Sequence, residues 1–234
     1  MKVSKGYALP MLLIIALGAI GFGYAWWTET LVIGPTVNTG ELKVEFVNGQ
    51  APGKDWNNPN WRTYGAAPHV IRTWSWSPDK LTIYITLSNM YPGTGSQRFA
   101  FGIINTGTIP AKLKDVTVTI TGDSTTVHYI RTQGKIEYCR DDLTKVWEKS
   151  FGNWPHIDGD PYEKDIPLEN LENTLDSLIS GTVLYPGWML GFGEDEGEES
   201  GSLGFAMHAT APEGTEGQTI TVAITFTFEQ WNAP

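Results

Sequence analysis

Four histidines, a single cysteine and scattered acids are the side chains of this 234-residue chain with the chemistry for catalysis or metal binding. His69, His128, His156 and His208 are far apart, and none belongs to a His-Glu-x-x-His pair. Cys139 has no second cysteine, so the three or four ligands of a zinc site are not in view. His156-Ile-Asp-Gly-Asp160 and Glu194-Asp-Glu-Gly-Glu-Glu199 hold oxygen ligands suited to calcium, but neither keeps the Asp-x-Asp-x-Asp-Gly spacing. Both read as solvated acidic loops. Gly191-Phe-Gly193 is not followed by Lys-Ser/Thr, and no Gly-x-Ser-x-Gly elbow occurs. The Trp-rich stretch from Trp56 to Trp76 has the ring faces of a sugar-binding platform, although large aromatics ordinarily serve as core and contact residues. No catalytic residue, metal site or cofactor is expected, and the chain does not read as an enzyme.

The segment left without a chemical explanation is Trp26-Trp27-Thr28-Glu29-Thr30-Leu31-Val32-Ile33, a β-prone run ended by Gly34-Pro35. An unpaired strand of this composition joins any open sheet edge. It is either the first strand of its own domain or a donor strand that completes the sheet of another subunit. What precedes it reads as an export signal: Lys2 and Lys5, an apolar stretch from Met11 to Ile20, and small residues Gly23 and Ala25 placed for cleavage between Ala25 and Trp26. An uncleaved anchor is the alternative, because the uncharged run from Gly6 to Thr28 is just long enough to span about 30 Å of hydrocarbon. Gly18, Gly21 and Gly23 weaken it as a helix and favour cleavage. On either reading the bulk of the chain is exported, as a secreted or cell-surface protein.

With 26 acids against 16 Lys and Arg, the formal charge is −10, and losing Lys2 and Lys5 would make the remainder more acidic. Nucleic acid and anionic membrane surfaces would repel it, so neither is an expected partner. Charged residues are only 18% of the chain, against 26 glycines, 14 prolines and 28 aromatic residues, which is the profile of short strands joined by turns. Cys139 rules out a disulfide within the chain, so stability must come from packing and strand pairing. Beside Tyr138 in an apparent strand, it reads as a small buried side chain.

Alternation then places the strands. Leu42, Val44 and Phe46 alternate with Glu41, Lys43 and Glu45. Residues 48–68 read as irregular, and a strand resumes over Val70–Ser75. Leu81, Ile83, Ile85 and Leu87 face inward with Thr82, Tyr84 and Thr86 outward; Phe99, Phe101 and Ile103 form the next inward set, and Val116, Val118 and Ile120 another. Val127–Cys139 reads as a hairpin turning at Gln133-Gly134, and 143–165 as turn-rich. Leu168, Leu171, Leu175, Leu178 and Ile179 make one apolar stripe of a helix that Gly181 can end, placed to cap an edge or end of the sheets. Thr182–Phe192 and Leu203–Ala211 follow as strands. The last strand, Gln218–Trp231, turns Ile220, Val222, Ile224, Phe226 and Phe228 inward and threonines outward. The organisation expected is a signal peptide over 1–25, an N-terminal strand and linker over 26–38, and one β-sandwich domain over 39–234.

Four blocks in this order resemble the TasA/camelysin fibre proteins. They are Gly-Tyr-Ala25 with Trp26-Trp-Thr-Glu-Thr-Leu, Thr36-Val-Asn-Thr-Gly-Glu-Leu-Lys-Val44, Leu87-Ser-Asn-Met-Tyr-Pro-Gly93 leading to Phe99–Leu113, and Ile224-Thr-Phe-Thr-Phe-Glu-Gln-Trp-Asn232. Residues 114–218 carry no matching motif. The resemblance implies a mainly β, jelly-roll-like antiparallel sandwich with one or two accessory helices and a free N-terminal donor strand. It also implies Sec export, cleavage by signal peptidase, and polymerisation into an extracellular filament, a pilus or biofilm-matrix fibre, by donor-strand complementation; archaeal bundling pili are similar. The donor strand would be Trp26–Ile33, the partners further copies of the chain and neighbouring filaments in bundles. Leu31 and Ile33 share one face with Glu29, Val32 lies on the other, and which face is buried stays open. Camelysin brings a peptidase association, so a secreted metallopeptidase is one alternative and a monomeric carbohydrate-binding module another.

Overall fold

The computed structural model describes residues 40–47, 69–94, 96–142, 144–152, 165–192 and 203–232. The chain divides into two units, Met1–Thr39 and Gly40–Pro234. The expected signal peptide, its cleavage site and the donor strand therefore lie outside the described residues, and the architecture is that of the second unit.

In chain order the elements are β1 (Val44–Val47), β2 (Ile71–Trp76), β3 (Thr82–Ser88), β4 (Gln97–Phe99), β5 (Phe101–Asn105), β6 (Ala111–Thr121), α1 (Ser124–Tyr129), β7 (Ile130–Cys139), β8 (Lys145–Phe151) and β9 (Ile166–Pro167). A 3-10 turn over Leu168–Asn170 leads into α2 (Leu171–Ile179), followed by β10 (Val183–Leu184), β11 (Met189–Phe192), β12 (Leu203–Met207) and β13 (Thr219–Gln230). One sheet has the order β1-β5-β11-β7-β12-β4, with β8 and β9 also against β7; the other runs β10-β6-β13-β3-β2. Strands β11 and β12 lie head to tail along one flank of β7, Met189 opposite Cys139 and Met207 opposite Ile130. Only Ala100 separates β4 from β5.

The two sheets enclose one core, a β-sandwich as expected. Phe46, Phe101, Ile103, Phe192 and Phe205 enter it from the first sheet and Ile83, Ile85, Leu113, Val222 and Phe226 from the second. Phe101 stacks on Phe192 at 4.5 Å between centroids, and Phe46 meets Phe226 edge-on at 5.5 Å, across the interface. The period-2 readings of β3 and β13 hold: Ile83, Ile85, Leu87, Ile220, Val222, Ile224 and Phe226 are all buried. Their outward neighbours pair by hydroxyls, Thr82 with Thr225 at 2.9 Å and Ser88 with Thr219 at 2.8 Å. Phe228 follows a register shift after Thr227 and is only half-buried.

Four expectations need correction. Leu42 is not part of the inward set, being 39% exposed ahead of β1. Val127–Cys139 is not a hairpin. Asp123 accepts the Thr126 N–H at 2.9 Å and so caps α1, after which β7 runs unbroken through Gln133-Gly134, both paired to neighbouring strands. Thr182–Phe192 is two short strands joined by the turn Tyr185–Trp188, closed by Trp188 N–H donating to the Tyr185 carbonyl at 2.9 Å. The region 143–165 includes the seven-residue strand β8. The helix stripe holds in its buried residues Leu168, Leu171, Leu175 and Ile179, and Gly181 follows with φ of +75°, the left-handed geometry that suits glycine after a helix.

Tyr138 yields a pH prediction. Its ring lies 5.3 Å from those of both Trp147 and Trp188, and its O–H donates to the Val183 carbonyl. Burial, with a smaller contribution from Tyr185, pushes its pKa up to about 12. The folded state thus favours the neutral phenol. That contribution is complete below the unfolded value of about 10 and is lost as pH rises towards about 12. Urea titrations at about pH 9 and about pH 11.5 should therefore show a steeper alkaline loss of stability in the parent protein than in Tyr138→Phe.

Candidate strand-acceptor edge

The two lateral flanks of the sandwich differ. At one, the free side of β6 is occupied. Glu172, on α2, accepts the Val118 N–H at 2.7 Å; Leu113 donates to the Thr182 carbonyl at 2.8 Å and accepts from Gly181 at 2.9 Å. Glu172 thereby fills a backbone position that an incoming strand would need.

At the other flank β1 ends the first sheet and β2 ends the second. They meet at one point: Phe46 stacks on Trp76 at 4.9 Å, and the Phe46 N–H donates to the Lys80 carbonyl at 2.9 Å. Beyond it the outer side of β2 has no paired strand among the described residues. Ser77 donates to the Thr82 carbonyl at 2.9 Å, which makes that a bonded pair. By antiparallel alternation Ile71, Thr73 and Ser75 spend their backbone groups on β3, while Arg72, Trp74 and Trp76 direct theirs outward.

The same three residues face the sandwich interior, for Arg72 stands opposite Leu87, Trp74 opposite Ile85 and Trp76 opposite Ile83, all buried partners. Yet Trp74 is 46% exposed. Its ring packs at 4.8 Å on Trp76 and leaves nearly half of the residue exposed at a position that should be core. The Arg72 Nη1 atom is buried without a hydrogen-bond partner, and burial pulls the guanidinium below its usual pKa. This edge combines outward backbone groups that no described strand pairs, an inward tryptophan that is 46% exposed, and a guanidinium whose Nη1 has no hydrogen-bond partner.

The start of the domain is clamped beside it. Thr106 and Gly107 both donate to the Lys43 carbonyl, at 2.9 and 3.0 Å, and Thr108 donates to the Glu41 carbonyl at 2.8 Å. Glu41 N–H returns a bond to Thr108 Oγ1 at 2.8 Å. A side chain at Gly107 would place its Cβ 2.2 Å from the Glu41 oxygen, so only glycine allows this approach.

Among the sequence-predicted sites, Ala25 and the donor residues Trp26 to Ile33 lie outside the described residues. Of the histidines, His128 Nδ1 is 3.6 Å from Glu169 Oε2 and His208 Nδ1 is 2.7 Å from Thr210 Oγ1. Among the described residues no three His, Cys, Asp or Glu side chains are grouped to hold a metal ion. The Trp-rich stretch is split: Trp76 enters the core and Trp74 does not, while Trp56 and Trp61 lie outside the described residues. The Arg72-x-Trp74-x-Trp76 spacing was a visible signal for a strand face, but not for an uncovered one. Comparison with family models, curated proteins and solved structures finds no match, so any functional reading rests on this chain's own residues and geometry.

Proposed function

We propose that this chain is the structural subunit of an extracellular filament, a pilus or biofilm-matrix fibre, that polymerises when Trp26–Ile33 of one copy completes the sandwich of the next. The observation that carries the reading is the inward-facing Trp74, 46% exposed on an edge with no paired strand among the described residues. Processing between Ala25 and Trp26 by signal peptidase frees the donor segment. A jelly-roll winding of the sandwich, lateral association of filaments into bundles, the absence of cofactor chemistry and of nucleic-acid partners, and a secreted or cell-surface location belong to the same proposal.

The energetics are adequate. Burying three apolar donor side chains at about 1.5–3 kcal/mol each gives roughly 5–9 kcal/mol before ordering costs. About six strand hydrogen bonds at about 1 kcal/mol net each add a similar amount. Because donor and acceptor are different surfaces, the contact propagates instead of closing into a dimer.

The test compares the protein starting at Trp26 with the same protein starting at Gly34, which keeps every core residue from Val44 to Phe226. By negative-stain electron microscopy the longer form should give filaments and the shorter one soluble monomers, which a synthetic Trp26–Ile33 peptide should bind. Filaments from both, or folded monomers from both, would overturn the proposal.

A further inference from the structure

We infer that the acceptor is the β2 edge, that the donor strand of a second copy runs parallel to it, and that Glu29 of the donor pairs with Arg72. This rests on the filament reading above and adds the edge, the direction and the register.

The fit comes from spacing and charge. On the acceptor, Arg72, Trp74 and Trp76 turn inward at every second position. On the donor, Glu29, Leu31 and Ile33 share one face at the same spacing. Laid parallel, the segment sets Glu29 beside Arg72, Leu31 beside Trp74 and Ile33 beside Trp76. The acid that makes this donor face non-uniform then meets the cation whose Nη1 is buried without a partner. Two aliphatic residues would cover the rings that leave the core unfinished. Reversing the strand puts Glu29 against Trp76, which is stacked on Phe46 in the core, and a carboxylate there has no counter-charge. Using the other donor face offers Thr28, Thr30 and Val32, which gives Arg72 no charge and Trp74 a hydroxyl. The ends agree as well: Gly34-Pro35 terminates the donor where Ser77 and Lys80 turn the acceptor away from β2.

The experiment uses the protein starting at Trp26 and four variants: Glu29→Arg, Arg72→Glu, the double exchange, and the Gly34 start, each checked for folding by circular dichroism. Either single reversal should raise the protein concentration needed for filaments by about 30-fold or more, as expected for a like-charge clash at a desolvated contact, and the double exchange should restore it. Should Arg72→Glu fail to fold, the peptide arm decides. The Trp26–Ile33 peptide should bind the Gly34-start protein at least about tenfold more tightly than its Glu29→Arg version. Direction is read by cysteine pairs: Thr30→Cys with Thr73→Cys should give oxidised oligomer ladders, and Thr30→Cys with Ser75→Cys should not. If the Gly34 start abolishes filaments while charge reversal and peptide substitution change nothing, or the second cysteine pair cross-links and the first does not, the filament reading stands and this register is wrong. If the Gly34 start still polymerises, the filament reading itself fails.

Discussion

Asn105→Ala should lower the stability of the folded domain by about 3–5 kcal/mol, read as a shift in the urea midpoint at unchanged slope. The side chain is fully buried at the end of β5. Its Nδ2 donates to the carbonyls of Ile109 and Leu184, each at 2.8 Å, and its Oδ1 accepts the Gly107 N–H at 2.9 Å. Alanine would take the amide donor from the Ile109 and Leu184 carbonyls where water cannot easily replace it, at about 1–3 kcal/mol for each group left unpaired, while the Gly107 N–H keeps its bond to the Lys43 carbonyl. The backbone of Asn105 also accepts from Gly187 at 2.8 Å and donates to Trp188 at 3.1 Å, so the position ties the β5–β6 turn to the loop ahead of β11. Asn105→Asp keeps the acceptor, loses both donors and buries a charge, so it should be at least as damaging. A loss under about 1 kcal/mol in the alanine variant would mean that the site collapses or hydrates without strain.

Glu137→Gln should cost about 3–5 kcal/mol, with little relief from added salt. Glu137 is 1% exposed, and its Oε1 lies 2.8 Å from Lys135 Nζ and 2.9 Å from Lys145 Nζ. Lys135 is itself 8% exposed. Glu148, further from Lys135 at 3.6 Å, joins from β8 and is held below the usual carboxylate pKa chiefly by its hydrogen bond from Lys145. Neutralising Glu137 leaves a nearly buried ammonium with only the more distant acid. A surface pair would behave differently, contributing about 0–1 kcal/mol and fading with salt. Equilibrium unfolding of parent and variant in low and high salt separates the cases: an effect that disappears in about 1 M salt would place the network in contact with solvent. Replacing the group by Lys135→Met with Glu137→Leu should recover most of the loss, because the charges must desolvate together.

Strand alternation was legible wherever one sheet face is core and the other is solvated, as in β3 and β13, and the helix stripe of α2 was legible for the same reason. It failed at β7. There Gln133, Lys135 and Glu137 are buried although they alternate with the core residues Ile130 and Ile136, so burial on both faces erased the contrast that periodicity depends on. Gln133-Gly134 read as a turn because the pair has turn composition; its pairing on both sides decided otherwise. Capping of α1 by Asp123 was present in Asp123-Ser-Thr-Thr126 but was overridden by the β-prone residues around it. The proposed acceptor edge could not be read from sequence at all. Arg72, Trp74 and Trp76 spell an ordinary inward face, and only the three-dimensional position of β2, whose outer side has no paired strand among the described residues, leaves Trp74 46% exposed. The two halves of the proposed contact were thus legible to different degrees: the composition of Trp26–Ile33 reads as strand-forming in the sequence, whereas the exposure of Trp74 emerges from packing.

The clamp formed by residues 41–43 against 106–109 bears on how tension would travel along such a fibre. If load enters each subunit through the chain ahead of Gly40, it arrives at Glu41 and Lys43, whose carbonyls are gripped by the amides of residues 106–109. Bonds that are loaded together share the force, whereas the bonds of a hairpin peeled from its end would fail in succession. Asn105, buttressing that grip from beneath, would then act as a mechanical keystone: the same amide that holds the resting domain together would limit how hard neighbouring subunits can be pulled before one of them unravels.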